Sequence, residues 1–330
     1  MRASFAAIIA CVLGLTLAAP TQAPAQAPDR AQEWPQPQVT IVVPFGPGGS
    51  ADLLARILAT QMQAKYGTPF VVENRAGAGG STGTGYVAKA APDGRTLLLG
   101  TVSSIAVNAA LYSKLSFDVD RDLQPVSQLV SFPNLLVVDP KLPVKTIPDL
   151  IAYLKANEGK INYGSSGLGT SSHLSVVMFE RAIGTRMTHV PFRSTGEVVN
   201  SMLGGNIHLA IDSMTTIWPQ AEVGQVRALG VSTPKRSATA PNVPAIGETV
   251  AGFEAVAWQG LFAPAGTPRP IVDRIAAEVR RIWELPDVAA SLTRLGAEPV
   301  VSTPDEFAAF ARTERVKWAE VVKAAGVKID

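Results

Sequence analysis

Residues 39–50 read Val39-Thr40-Ile41-Val42-Val43-Pro44-Phe45-Gly46-Pro47-Gly48-Gly49-Ser50. The opening β-branched run predicts a strand, and the glycine-proline stretch after it predicts a tight loop. Past the loop, Leu53, Leu54, Ile57, Leu58 and Met62 recur at three- and four-residue spacing, while Arg56, Gln61 and Lys65 point away. That is an amphipathic helix over Asp52 to Lys65 with one stripe for a sheet. Ser50 is its expected N-cap. Asp52 falls in the first turn, where it suits the helix dipole and can pair with Arg56 or meet a ligand directly. The first N–H groups of a helix lack intrahelical partners and carry roughly half a positive charge, so a glycine loop running into a helix start can hold a carboxylate or phosphate without any cation.

The same device recurs at Tyr163-Gly164-Ser165-Ser166-Gly167-Leu168-Gly169-Thr170-Ser171-Ser172. Thr170 or Ser171 caps a helix striped by Leu174, Val177 and Met178, and Gly184 is placed to end it. Around the two loops, strand-like and helical runs alternate. Strands are expected at Val39 to Phe45, Phe70 to Glu73, Thr96 to Gly100, Leu135 to Val138, Ile161 to Tyr163, Thr188 to Pro191, Ile207 to Ile211, Val226 to Val231 and Val256 to Phe262. Such βαβ order predicts an α/β fold of parallel-type sheets, and ligands in such folds bind beyond the carboxyl ends of the strands. Two cradles of this kind suggest a receptor for small acids.

The N-terminus reads as an export signal. Arg2 gives a positive start, Ala6 to Leu17 an apolar run too short to span a bilayer, and Ala23-Pro24-Ala25 a small-residue cleavage site. Residues 1–25 are expected to be a signal peptide and 26–33 a disordered leader. A lipoprotein box at Cys11 fits less well, because the apolar run continues past it. Cleavage after Ala25 removes the chain's one cysteine, so no disulfide or thiolate chemistry is expected. With 29 Lys and Arg against 27 Asp and Glu and no basic run, the electrostatic footprint of nucleic-acid binding is missing.

Rival chemistries are weaker. Gly46 to Ala51 fits the dinucleotide pattern G-x-G-x-x-G/A, with Glu73 placed as a ribose-binding acid, but Pro44-Phe45 separates strand from glycine and Gly83 to Ala88 repeats the pattern inside a helix. Gly164-Ser165-Ser166-Gly167-Leu168 lacks the last glycine of a nucleophile elbow. His173, His189 and His208 have no metal-site spacing. His189 and His208 read as structural, whereas His173, in the first turn of the second cradle helix, is a candidate contact. Asp212 ends an apolar strand and is followed by Ser213, Thr215 and Thr216. It can cap the next turn or accept a hydrogen bond from a ligand.

Several further motifs carry a resemblance. Glu73-Asn74-Arg75-Ala76-Gly77-Ala78-Gly79-Gly80, Asp93-Gly94-Arg95-Thr96-Leu97-Leu98, His189-Val190-Pro191-Phe192, Trp258-Gln259-Gly260 and Ala263-Pro264-Ala265-Gly266-Thr267-Pro268 stand in order with the two loops, and Lys317-Trp318 follows. From about Pro37 onward the chain resembles the Bug family, the substrate-binding proteins of tripartite tricarboxylate transport systems. The resemblance implies a periplasmic two-domain receptor of the type II, Venus-flytrap kind, which captures a small organic carboxylate and delivers it to membrane permease subunits. It implies a monomer with no catalysis, no cofactor and no metal. Residues 34–130 with 255–330 would form one domain and 131–254 the other. Carried over, first-domain contacts would be Phe45, Gly48, Gly49, Ser50, Asp52, Gly80, Ser81, Ser103 and Ser104. Second-domain contacts would be Ser166, Thr170, Ser171, His173, Phe192 and Asp212. After Phe192 this sequence departs from the family pattern, with Arg193-Ser194-Thr195-Gly196 and with Asn200 in place of a frequent aspartate.

Overall fold

The computed structural model of the protein describes residues 34–35 and 37–326, so the expected signal peptide and leader lie outside the described residues. The chain opens with β1 (Val39–Val43), α1 (Ser50–Tyr66), β2 (Phe70–Asn74), α2 (Ser81–Val87), β3 (Thr96–Thr101), α3 (Asn108–Leu111) and α4 (Val119–Asp122). A long strand, β4 (Leu123–Val138), leads to α5 (Ile147–Ala156), β5 (Asn162–Ser165), α6 (Ser171–Ile183), β6 (Thr188–Pro191), α7 (Thr195–Leu203), β7 (Leu209–Ser213), α8 (Met214–Glu222) and β8 (Arg227–Val231). The chain then returns through β9 (Val256–Pro264), α9 (Arg269–Trp283), α10 (Pro286–Arg294), β10 (Glu298–Pro299) and α11 (Pro304–Ala325).

The sheet runs β2-β1-β3-β9-β4-β7-β5-β6, with β8 and β10 also pairing with β4. Its flanks are parallel, as the βαβ reading predicts: β1 pairs with β2 and β3, and β5 with β6 and β7. The centre differs from that expectation. β9 runs antiparallel to β3 and β4, and β4 antiparallel to β7 and β8. The reason is that β4 belongs to both halves of the sheet: Leu123 to Pro133 pair with β9, while Asn134 to Val138 pair with β7 and β8. The sequence pattern shows only the end of this strand, because Pro125 and Pro133 punctuate it. The structure accommodates the first proline at a register shift between Pro125 and Ser127, where no ladder donor is needed.

Apolar burial follows the same division. The larger core draws on residues 34–132 and 257–322 together with Leu174. Two smaller cores, one on each face of the other half of the sheet, draw on residues 135–255. α11 is tied to β9 by Glu314, whose carboxylate accepts from the indole N–H of both Trp258 and Trp318. The two backbone crossings between halves are stitched at one point. Ser232 Oγ accepts from Asn134 N at 2.8 Å and donates to Ala255 O at 2.6 Å, and Ser232 N donates to Asn134 O.

Ser232 is fully buried. Ser232→Ala should therefore strand the Asn134 N–H, leave Ala255 O with only its longer bond from Asn134 Nδ2, and lower the unfolding free energy by about 1–3 kcal/mol in urea titration. A loss below about 0.5 kcal/mol, the range of an ordinary surface change, would show that the crossings do not depend on this hydroxyl.

Candidate functional site

Between the two halves lies a narrow cleft whose roughly 450 Å³ of atom-free space is partly open to solvent. Its walls are built largely from helix starts. Gly49, Ser50 and Ala51 bring α1; Val102 and Ser103 open a single π turn, Ser103–Val107, that runs into α3; Ser171 brings α6; Ser194 and Thr195 bring α7; Ser213 brings α8. Phe45, Phe132, Ala257 and Trp258 add apolar surface, and Thr101, Asn134, Ser166, Asp212 and Gln259 add polar groups. Among the described residues lining it, none is lysine, arginine or histidine. Aligned peptide dipoles at these helix starts supply the positive potential instead.

The halves meet beside the cavity. Gly46 N donates to Arg193 O at 2.9 Å, Ser194 Oγ to Pro47 O at 3.2 Å, and Ser171 N to Ser103 Oγ at 2.9 Å. The close approach of the halves depends on Gly196, where a Cβ would come within 3.0 Å of Gly48 O, and within the first half two further glycines shape the loops. Gly48 has φ +77°, in the left-handed region. Gly80 has φ +98°, and a Cβ there would come within 2.9 Å of the Ser104 side chain.

The expected α1 cap is revised. Gly49 is the N-cap and makes no side-chain cap. Ser50 is already helical, and its Oγ accepts from Gln259 Nε2 at 2.7 Å instead of turning back on its own helix. Asp52 is buried and turned away from the cavity, taking a bidentate pair from Arg56 and the Gly48 N–H. Burial alone would raise its carboxyl, but Arg56 and the Gly48 and Asn74 donors hold it below the ordinary value. Asp52 therefore shapes the first loop.

Asp212 is also buried, but faces inward without a cation. Its Oδ1 accepts from Thr195 Oγ1 at 2.9 Å and Ser213 N at 2.7 Å, and its Oδ2 from Ser166 N at 3.1 Å. It bonds the N–H of the next residue without capping α8, whose N-cap is Ser213, and ties the starts of α7 and α8 to the second glycine loop. Burial pushes its carboxyl up against these hydrogen bonds.

Of the residues named from the sequence, Phe45, Gly49, Ser50, Ser103, Ser166, Ser171 and Asp212 come together at the cavity. Gly80 and Phe192 line a neighbouring cavity that shares Phe45 and Ser166. Gly48 and Asp52 brace the first loop, Ser81 accepts from Asn108 Nδ2, and Ser104 bonds back to Thr101. Thr170 caps α6 and donates to Gly167 O. His173 sits in a ring stack with His189 (4.1 Å between centroids) and Tyr163, and its Nδ1 accepts from Gly169 N. Sequence reasoning missed Asn134, Ser194, Thr195 and Gln259 as lining residues. Ser194 and Glu197 carry a legible helix-start signature, confirmed by the Glu197 N–H on Ser194 Oγ. Gln259 is the polar residue within the apolar run Val256 to Phe262, which marks a buried group in need of partners.

The profile of the tripartite tricarboxylate transporter family receptor matches residues 54–327, and the chain belongs to that family. Among solved structures, an R. palustris protein with adipate is 36% identical, covers 89% of this chain and 99% of its own, and superposes with a TM-score of 0.87. The periplasmic binding protein BugD is 34% identical, with coverage of 89% and 99% and a TM-score of 0.86. MatC from Rhodopseudomonas palustris, with bound malate, is 34% identical, with coverage of 88% and 100% and a TM-score of 0.83. The α/β fold is that of periplasmic binding proteins of this type, as the motifs imply, and nothing in these likenesses supports the dinucleotide reading.

The histidine stack gives the second loop a pH dependence. Burial lowers His173 to about 4 and His189 to about 3, the latter aided by its neighbour His173. Both start from 6.5. The unfolded chain takes up these protons first, so their stabilisation is complete above pH 6.5 and lost as pH falls toward 4. Urea titrations at pH 7 and pH 5 should show a loss on the order of 2 kcal/mol or more, of which roughly half should persist in His173→Asn because His189 still titrates. An equal loss in both proteins would assign the effect elsewhere.

Proposed function

We propose that the chain is a periplasmic substrate-binding receptor that captures a small organic carboxylate between its halves and hands it to the membrane permease of a tripartite tricarboxylate transporter. Residues 1–25 would direct it to the periplasm and then be removed. The halves would act as lobes, 34–130 with 255–330 and 131–254, working as a monomer without cofactor or catalysis.

The observation that carries this reading is the convergence of helix starts from both halves on a cavity without cationic side chains. Donors of that kind suit a carboxylate, and charge-assisted hydrogen bonds contribute about 1.5–3 kcal/mol each. Three or four would support micromolar binding, about 8 kcal/mol, after ordering losses. Relatives solved with adipate and with malate favour a dicarboxylate over a monoacid. A ligand that touches both halves favours their closed arrangement by its differential affinity, and the closed surface is what a permease can read.

A thermal-shift panel of succinate, malate, adipate, citrate, glutamate, nicotinate and terephthalate should raise the melting temperature with at least one acid. A response confined to nicotinamide dinucleotides would instead favour an enzyme using the Gly46 to Ala51 loop. Ser171 is the first residue of α6, a position that tolerates proline. Ser171→Pro should remove the N–H that donates to Ser103 Oγ in this structure and weaken the acid's Kd about tenfold or more, while lowering the unfolding free energy of the free protein by no more than about 1 kcal/mol. Unchanged affinity would place the pocket elsewhere.

A further inference from the structure

Ser103 opens the π turn of the first half, Ser171 opens α6 of the second, and both line the cleft. Ser171 N donates to Ser103 Oγ at 2.9 Å, and Ser103 Oγ donates to Ser171 Oγ at 3.2 Å. Among the described residues, every hydrogen bond of the Ser103 hydroxyl therefore crosses from one half to the other. Its neighbour Ser104 behaves differently, bonding back to Thr101 within the first half. The π turn holds Ser103 in place from its own side, since Asn108 N donates to Ser103 O. Both serines are buried by this contact and its surroundings.

Other donors around the cleft are engaged in other ways. Ser166 N and Ser213 N donate to Asp212, inside the second half. Gly46 N and Ser194 Oγ do cross between the halves, to Arg193 O and Pro47 O, but neither is the N–H of a helix residue on the cleft wall. Ser171 N is such an N–H, and the opposite half occupies it. A backbone N–H carries a single proton, so it points either at Ser103 Oγ or at an oxygen of a bound acid. A carboxylate oxygen accepts more strongly than a neutral hydroxyl, so an acid displaces the serine when it arrives.

Resting on the carboxylate-receptor reading, which gives Ser171 N to the ligand, we propose that Ser103 is an autoinhibitory latch: its hydroxyl takes the α6 donor in the ligand's place and draws the halves together in competition with the acid. A latched receptor must free Ser171 N before the acid can use it, so the apparent affinity is reduced by the fraction of molecules that are latched. The sign of the effect separates this from an ordinary contact. Removing a hydroxyl that holds the ligand weakens binding, whereas removing one that competes with it tightens binding.

The test is calorimetric titration of the native protein and of Ser103→Ala with succinate, malate, adipate, citrate, glutamate, nicotinate and terephthalate. Whichever acid binds should bind about fivefold more tightly to Ser103→Ala, the worth of one neutral hydrogen bond. Ser103→Cys, whose sulfur is a weak acceptor, should shift affinity in the same direction. In a Ser171→Pro background, adding Ser103→Ala should leave affinity unchanged, because the contested donor is gone. Small-angle X-ray scattering without any acid should give Ser103→Ala a larger radius of gyration than the native protein, and saturating acid should bring the two together. Equal or weaker binding by both Ser103 variants, or equal scattering without acid, would overturn the latch and leave the receptor reading standing. Binding of none of these acids, to either protein, would remove the receptor reading and the latch with it.

Discussion

The aligned peptide dipoles at helix starts set the constraint on which this molecule is organised. Helix starts from both halves of the sheet open onto one cavity whose described lining holds no cation, so positive potential is concentrated there by backbone geometry alone. In the second half that potential already has a resident anion, Asp212, which accepts from Thr195, Ser213 and Ser166. In the first half the nearest carboxylate, Asp52, is turned outward and held by Arg56. Asp52, in the first turn of α1, partly offsets that helix's dipole from the outside, but no acidic residue of that half lines the cavity. An anion entering the cavity meets no resident acidic side chain on the α1 side.

Such a site needs two halves held in register and yet separable, and β4 meets both demands. One continuous strand pairs with β9 on one side of Pro133 and with β7 and β8 on the other, so the halves share a backbone while the larger core takes in only Leu174 from the other half. The return crossing is fastened to it by Ser232 through short hydrogen bonds. The contacts across the cavity are of another kind: a few bonds from serine hydroxyls and glycine N–H groups, with small residues facing each other. Bonds of this sort contribute about 1 kcal/mol each, so they can exchange with ligand or water without disturbing either core.

The second glycine loop is braced from behind. Gly169 N donates to His173 Nδ1, Ser165 Oγ meets His189 Nε2 at 2.6 Å, and the two imidazoles stack on each other and on Tyr163. Neutral rings are required for this arrangement, because a protonated His173 could not accept from Gly169. Burial keeps them neutral. His173, a candidate contact by sequence, thus serves the loop that lines the cavity without itself lining it.

The sequence by itself determined the local devices: strand, glycine loop and helix start at Val39 to Lys65 and again at Ile161 to Ile183, the Gly184 stop, the Asp52–Arg56 pair and the motif order that marks the family. These depend on backbone conformation and on spacings of a few residues, which a single chain displays directly. Tertiary structure decided the rest. The long β4 was hidden by its prolines, because whether a proline is tolerated depends on which side of the strand lacks a partner. Ser50 gave up capping because Gln259, far away in sequence, offered its hydroxyl a closer bond. Which of two buried carboxylates faces the cavity, and which polar groups complete it, depended on residues more than 100 positions apart meeting across the sheet. Local pattern cannot encode that meeting, since it is fixed only when the two halves fold onto one shared strand.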